Sequence, residues 1–95
     1  MQARLIYRNK KKLASGAIAE EVVWKLPHPE PDRPHGYKYR LVYVRGGKRI
    51  VGYDNERGKG DHRHWRGSEE RYQFVSLDRL LADFRADVVH EEGRK

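Results

Sequence analysis

The chain has 95 residues, a formal net charge of +7, and equal hydrophobic and charged fractions of 37% each. That length allows one domain with a modest core, so one sheet and one helix are the expected economy. Cysteine is absent, which excludes a disulfide framework and any thiolate nucleophile or ligand; no signal peptide or apolar span of membrane length is present, and a cytoplasmic soluble protein follows.

The charge is unevenly placed. Residues 1–15 carry +5, residues 16–44 sum to zero, residues 45–71 carry +3 and residues 72–95 carry −1. A basic amino end and a basic centre suit a polyanionic partner, most simply nucleic acid, although a soluble Lys- and Arg-rich surface or an acidic protein partner gives the same totals.

In chain order, residues 3–8 read as a first strand, with Ala3, Leu5 and Tyr7 against Arg4, Ile6 and Arg8. Ser15-Gly16 breaks the chain. Residues 17–26 form a second strand, with Ile18, Val22, Trp24 and Leu26 on one face, Glu21 and Lys25 on the other, and Glu20 as a blemish on the apolar side. Residues 27–36 hold all four prolines in a wide extended loop, since proline is excluded from helix interiors and central strands. His28 and His35 lie there, and loop histidines are usually exposed. Residues 37–44 alternate, with Tyr37, Tyr39, Leu41 and Tyr43 opposite Lys38, Arg40, Val42 and Val44, and Gly46-Gly47 turns them into a hairpin with residues 48–53. Such tyrosines suit a half-buried sheet better than a base-stacking platform.

Residues 52–67, GYDNERGKGDHRHWRG, then form a polar loop that packing does not explain, because Trp65 is its only large apolar residue after Tyr53. Residues 71–75 read as a last short strand. Ser76 caps a helix, SLDRLLADFRADVV, with Asp78 favoured in its first turn by the helix dipole. Leu77, Leu80, Leu81, Phe84 and Val88 give it one apolar stripe, and residues 91–95 read as a flexible tail. The expected fold is α+β: an antiparallel meander sheet of four to five strands with a carboxy-terminal helix on one face, the other face open and basic. Its exposed edges leave homodimerisation open.

The block YDNERGKGDHRH, Tyr53 to His64, stands with Trp65-Arg66-Gly67, the following RYQF and the helix SLDRLLADFRADV. Leu5-Ile6-Tyr7, Val23-Trp24 before the prolines and Lys38-Tyr39-Arg40-Leu41 after them complete the pattern. Together, over residues 3–90, they resemble the TumE family of toxins from bacterial and archaeal toxin–antitoxin modules. The resemblance implies a growth-inhibiting toxin encoded beside an antitoxin with a DNA-binding domain; it supplies no catalytic roles.

Those roles come from the residues. Metal-independent RNA cleavage needs a base for the ribose 2′-hydroxyl, an acid for the leaving 5′ oxygen, and cations for the phosphate. His62 and His64 are the candidate base and acid, being side chains that ordinarily titrate near neutrality. Asp61 or Asp54 can orient an imidazole, and Tyr53 can add a proton-transfer or hydrogen-bonding group. Arg57, Lys59, Arg63 and Arg66 can clamp phosphate, and Trp65 can stack on an unpaired base. Each has a plainer reading. Asp54-Asn55 often ends a strand through a side-chain turn, and Lys59 between Gly58 and Gly60 lacks nucleotide-loop spacing. A His-x-His pair with Asp61, and His35 across the loop, also suits a divalent metal. Zinc, however, prefers three or four protein ligands and no cysteine is available, so no metal or cofactor is assigned. The expected function is an RNA-targeting toxin acting as an endoribonuclease, with RNA and a cognate antitoxin as partners. The alternative is a module that binds nucleic acid or a protein partner without cleavage. The antitoxin is expected to cover the central loop or the open sheet face with acidic residues.

Overall fold

The computed structural model describes residues 2–56 and 58–94. Six strands, β1 (Arg4–Lys12), β2 (Ile18–Lys25), β3 (Tyr37–Arg45), β4 (Lys48–Asp54), β5 (His62–Trp65) and β6 (Ser68–Arg71), precede one helix, α1 (Leu77–Glu92). The strands pair in sequence order, each antiparallel to the next, so the expected meander holds with one strand more. No helix among the described residues is long and apolar enough to cross a membrane.

Several boundaries differ from the sequence reading, beginning with β1, which runs to Lys12 rather than ending at residue 8. The segment 52–67 is not one loop: residues 52–54 and 62–65 are strand, 66–67 are a turn, and among its described residues only 55–56 and 58–61 are irregular. The last strand is Ser68–Arg71 rather than 71–75, and it closes a hairpin through Arg66 (φ 48°) and Gly67 (φ 84°). Two left-handed residues in a two-residue loop match the twist of the flanking strands. The helix also runs on through Glu91 and Glu92, where the tail was expected, because both carboxylates find partners. Glu91 accepts from Trp65 and Arg66, and Glu92 accepts from Ser15 and Tyr43.

Sheet alternation separates a helix-covered face from an open one. Tyr39, Leu41 and Tyr43 of β3, Val51 and Tyr53 of β4 and Val23 of β2 pack against Leu80, Phe84 and Val88 of α1. Phe84 meets the Tyr53 ring edge-to-face at 6.0 Å, and burying such a ring contributes roughly 2–3 kcal/mol. Ser76 caps the helix, accepting the Arg79 N–H at 3.0 Å. On β2 the helix covers Val23 and Glu21, leaving Val22 and Trp24 to the open face. Glu21 tolerates this burial because the Tyr7 hydroxyl and the Arg85 guanidinium both donate to it, each at 2.9 Å.

The proline-rich excursion is pinned at both ends. The Leu26 N–H donates to the Gly36 carbonyl at 2.9 Å, and buried Arg33 donates to Glu30 and to the Asn55 carbonyl. His35, contrary to expectation, is enclosed: its ring stacks on Phe74 with centroids 3.9 Å apart.

Candidate functional site

Because β5 is a strand, its residues part by parity. His62 and His64 project to the open face, and Arg63 and Trp65 to the helix side. The register sets Asp54 opposite His62, Gly52 opposite His64, and on the other flank Arg71 opposite His62 and Glu69 opposite His64. Asp54, His62, His64 and Glu69 therefore form one cluster. His64 Nε2 lies 3.7 Å from Asp54 Oδ2 and 4.0 Å from Glu69, while His62 Nε2 lies 3.8 Å from Glu69. His62 Nδ1 is 2.9 Å from the Gly60 carbonyl, which can only accept, so the Nδ1 proton points there and Nε2 faces the cluster.

The same face carries Arg8, Lys10 and Lys12 from β1, Lys38 and Arg40 from β3, Arg49 from β4 and Arg71 from β6, against three carboxylates, Glu20, Asp54 and Glu69. Arg40 stands beside Asp54 in the register. Arg49 lies over Gly52, where a Cβ would come 3.1 Å from the Arg49 Cδ. The face is basic, as the charge distribution anticipates.

The other candidates lie on the far side of the sheet. The Tyr53 hydroxyl donates to Asp87 at 2.6 Å, and Arg63 Nε donates to the same carboxylate at 2.9 Å while its NH1 reaches Glu70 at 2.6 Å. Burial first, then the Asp87 hydrogen bond, pushes the Tyr53 hydroxyl well above its ordinary range. The bond to Asp87 likewise raises Arg63. Trp65 Nε1 and Arg66 NH2 donate to Glu91, which is 1% exposed, at 2.8 and 2.6 Å. Asp61 accepts the Tyr39 hydroxyl at 2.6 Å and lies 3.0 Å from His35 Nε2; it holds the proline-rich segment to the β4–β5 connection rather than touching His62 or His64. Lys59 is exposed in the turn, beside a depression of about 600 Å3 that Arg71 and Tyr72 also line. Arg57 lies outside the described residues. Among those residues no three His, Asp or Glu side chains are placed to hold a metal ion.

The family model described as Toxin TumE matches residues 2–92. The chain belongs to the TumE toxin family. Membership makes it the toxin of a toxin–antitoxin module, with an antitoxin as partner. No curated protein and no solved structure gives a significant match.

In this TumE toxin the matched region spans both faces of the sheet and all of the helix. The sequence reading put ten residues into one site; three of them, Asp54, His62 and His64, share the open face. Arg40, Arg49, Lys38 and Trp24 are their neighbours there, and sequence reasoning passed over them as site residues. The signal was present in part: Lys38 and Arg40 alternate with the tyrosines, so they had to face away from the core. Trp24 was hidden because its strand was read as burying that side.

Proposed function

We propose that this TumE toxin is an endoribonuclease whose reacting centre is the open-face cluster of His62, His64 and Asp54. The observation that carries the reading is the register, which sets two imidazoles on one basic face with a carboxylate beside the second. Side chains two apart on a strand stand about 7 Å from each other at their bases, a span that can bracket a phosphate.

His62 Nε2, its other nitrogen committed to Gly60, takes the proton of the ribose 2′-hydroxyl. The 2′ oxygen bonds to phosphorus, the bond from phosphorus to the 5′ oxygen breaks, and His64 gives that oxygen its proton. The products are a 2′,3′-cyclic phosphate and a 5′-hydroxyl. Asp54 orients His64, and Arg40 and Arg49 stabilise charge on the phosphoryl oxygens. Tyr53, Arg63, Trp65 and Arg66 support the site from behind by holding β5 to the helix. The antitoxin, a DNA-binding protein in this reading, neutralises the toxin by presenting acidic residues to the same face.

The test is the His62→Ala/His64→Ala double variant, with folding followed by circular dichroism. Cleavage of cellular RNA, read by mass spectrometry for cyclic-phosphate ends, is expected to drop at least about a hundredfold for loss of an acid–base pair. A folded double variant with full activity would remove the catalytic role. RNA binding by the wild type with no new ends would leave a binding module.

A further inference from the structure

Beyond the histidines the open face continues into a cleft of about 750 Å3, of which the proposed reaction uses only Asp54, Arg40 and Arg49 and leaves the Trp24 end without a role. Its floor is Trp24 of β2, Lys38 and Arg40 of β3, and Arg49 and Asp54 of β4; Pro27 begins the wall that the proline-rich segment raises over it. Asp54 belongs to both places: it touches the histidine cluster and closes the near end of the cleft. Trp24 stands on β2, three strands from His62 on β5, roughly 14 Å at ordinary strand spacing.

The chemistry changes along that distance. At the far end the indole of Trp24 is partly exposed, with the Lys38 ammonium 5.0 Å from its ring centroid. In the middle the Arg40 side chain is 57% exposed and no nearer than 3.8 Å to Glu20. Arg49 crosses the sheet where Gly52 has no side chain to stop it. Neither Lys38 nor Arg49 has a carboxylate partner among the described residues. Guanidinium groups on the helix side are occupied instead, with Arg63, Arg66 and Arg85 each within 3 Å of a carboxylate. The helix side has therefore committed these cations to the fold, whereas on the open face, where Arg8 and Arg40 share Glu20, Lys38 and Arg49 are left for an outside anion.

An aromatic plane at one end of a row of available cations, under a wall that narrows access, suits a strand whose bases are unpaired. Every base has a face to stack, whereas a duplex keeps its bases inside and offers the indole none. We propose that the cleft is a binding groove for single-stranded RNA: Trp24 stacks an unpaired base a few nucleotides from the reacting phosphate, and Lys38, Arg40 and Arg49 grip the phosphates between. The proposal rests on the reading of the His62/His64 face as the reacting centre, and its test separates the two.

The measurement is fluorescence anisotropy of the full chain with a labelled 2′-O-methyl oligoribonucleotide of about eight nucleotides, single-stranded and as a duplex. This probe lacks the 2′-hydroxyl that the reaction consumes. Trp24→Ala is expected to weaken single-strand binding about tenfold, and Trp24→Phe to restore most of it. Lys38→Ala/Arg49→Ala is expected to reduce the salt dependence by about one to two counterions. Unchanged affinity for the Trp24→Ala protein, or equal affinity for the duplex, overturns the groove; if His62→Ala/His64→Ala still abolishes cleavage, the reacting centre stands without it. Trp24-dependent binding with no cleavage of ordinary RNA sustains the groove and removes the reaction.

Discussion

Asn55 shows how one side chain can do the work of a missing strand residue. It is wholly buried, its Oδ1 accepts the Tyr39 N–H at 3.0 Å, and its Nδ2 donates to the Tyr37 carbonyl at 2.8 Å. β4 ends at Asp54, opposite Arg40, so those two backbone groups of β3 would otherwise lack partners. Its own carbonyl takes the Arg33 guanidinium, which ties the cleft wall to the sheet. Asn55→Ala is expected to cost about 2–3 kcal/mol, because a buried donor and acceptor are both left unsatisfied. A denaturant titration measures the loss, and Asn55→Asp, which keeps the acceptor, should lose less of the Tyr39 contact. The tendency of Asp-Asn to end strands was legible in the sequence; the burial of the amide was not, because it depends on Arg33 and β3 arriving from elsewhere.

At the scale of elements, α1 carries two parallel stripes. Leu80, Phe84 and Val88 fill the core, and Asp83, Asp87 and Glu91, also four residues apart, meet the polar side chains that flank it. Asp83 takes the Tyr72 hydroxyl, Asp87 takes Tyr53 and Arg63, and Glu91 takes Trp65 and Arg66. The helix thereby grips β5 from behind while β5 presents His62 and His64 on its front. Asp87→Asn should lower stability by about 1–2 kcal/mol, since it weakens a charge-assisted pair that water partly reaches. Denaturant unfolding checks this, with single-strand RNA affinity expected to stay within about twofold, because no cation of the groove touches Asp87. A large loss of affinity at unchanged stability would instead return Arg63 to the RNA contact that the sequence reading gave it.

The whole molecule sorts its charges by face: carboxylates of the helix neutralise the cations beneath them, and the open sheet keeps an excess of positive charge. Like charges along the β1 edge, Arg4, Arg8 and Lys10 to Lys12, oppose strand-to-strand pairing of two copies. The tethers also set a stability profile in pH. Burial raises the Glu21 and Glu91 carboxyls, but hydrogen bonds from Arg85 and Tyr7, and from Arg66 and Trp65, outweigh it and leave both below the ordinary 4.5. The Ser15 and Tyr43 hydroxyls lower Glu92 as well. A depressed folded value means that this stabilisation is complete above the ordinary value and disappears as acid protonates the folded carboxylates. Tyr7, Tyr39, Tyr43, Tyr53 and Tyr72 are raised above 10.0, first by burial and then by their hydrogen bonds to carboxylates. Their contribution is complete below that value and is lost as pH climbs past it. The melting temperature is therefore expected to plateau between about pH 5 and 10 and to fall on both sides. Tyrosinate absorbance should rise together with unfolding in alkali; ionisation of these tyrosines in a still-folded protein near pH 10 would contradict the burial.

Local information decided a good part of this molecule. The tyrosine alternation of β3, the Gly46-Gly47 turn, the Ser76 cap and the apolar helix stripe are written in neighbouring residues, and the Tyr53–His64 block was enough to indicate the family. Four-residue strands such as HRHW and SEER carry no apolar rhythm, so β5 and β6 looked like loop. Only the folded chain could decide that parity would send His62 and His64 to one side and Arg63 and Trp65 to the other. Which face of β2 the helix would cover depended on Glu21 meeting Arg85, 64 residues away. Such choices turn on contacts between distant segments, where burial and charge pairing outweigh the preferences of any short stretch.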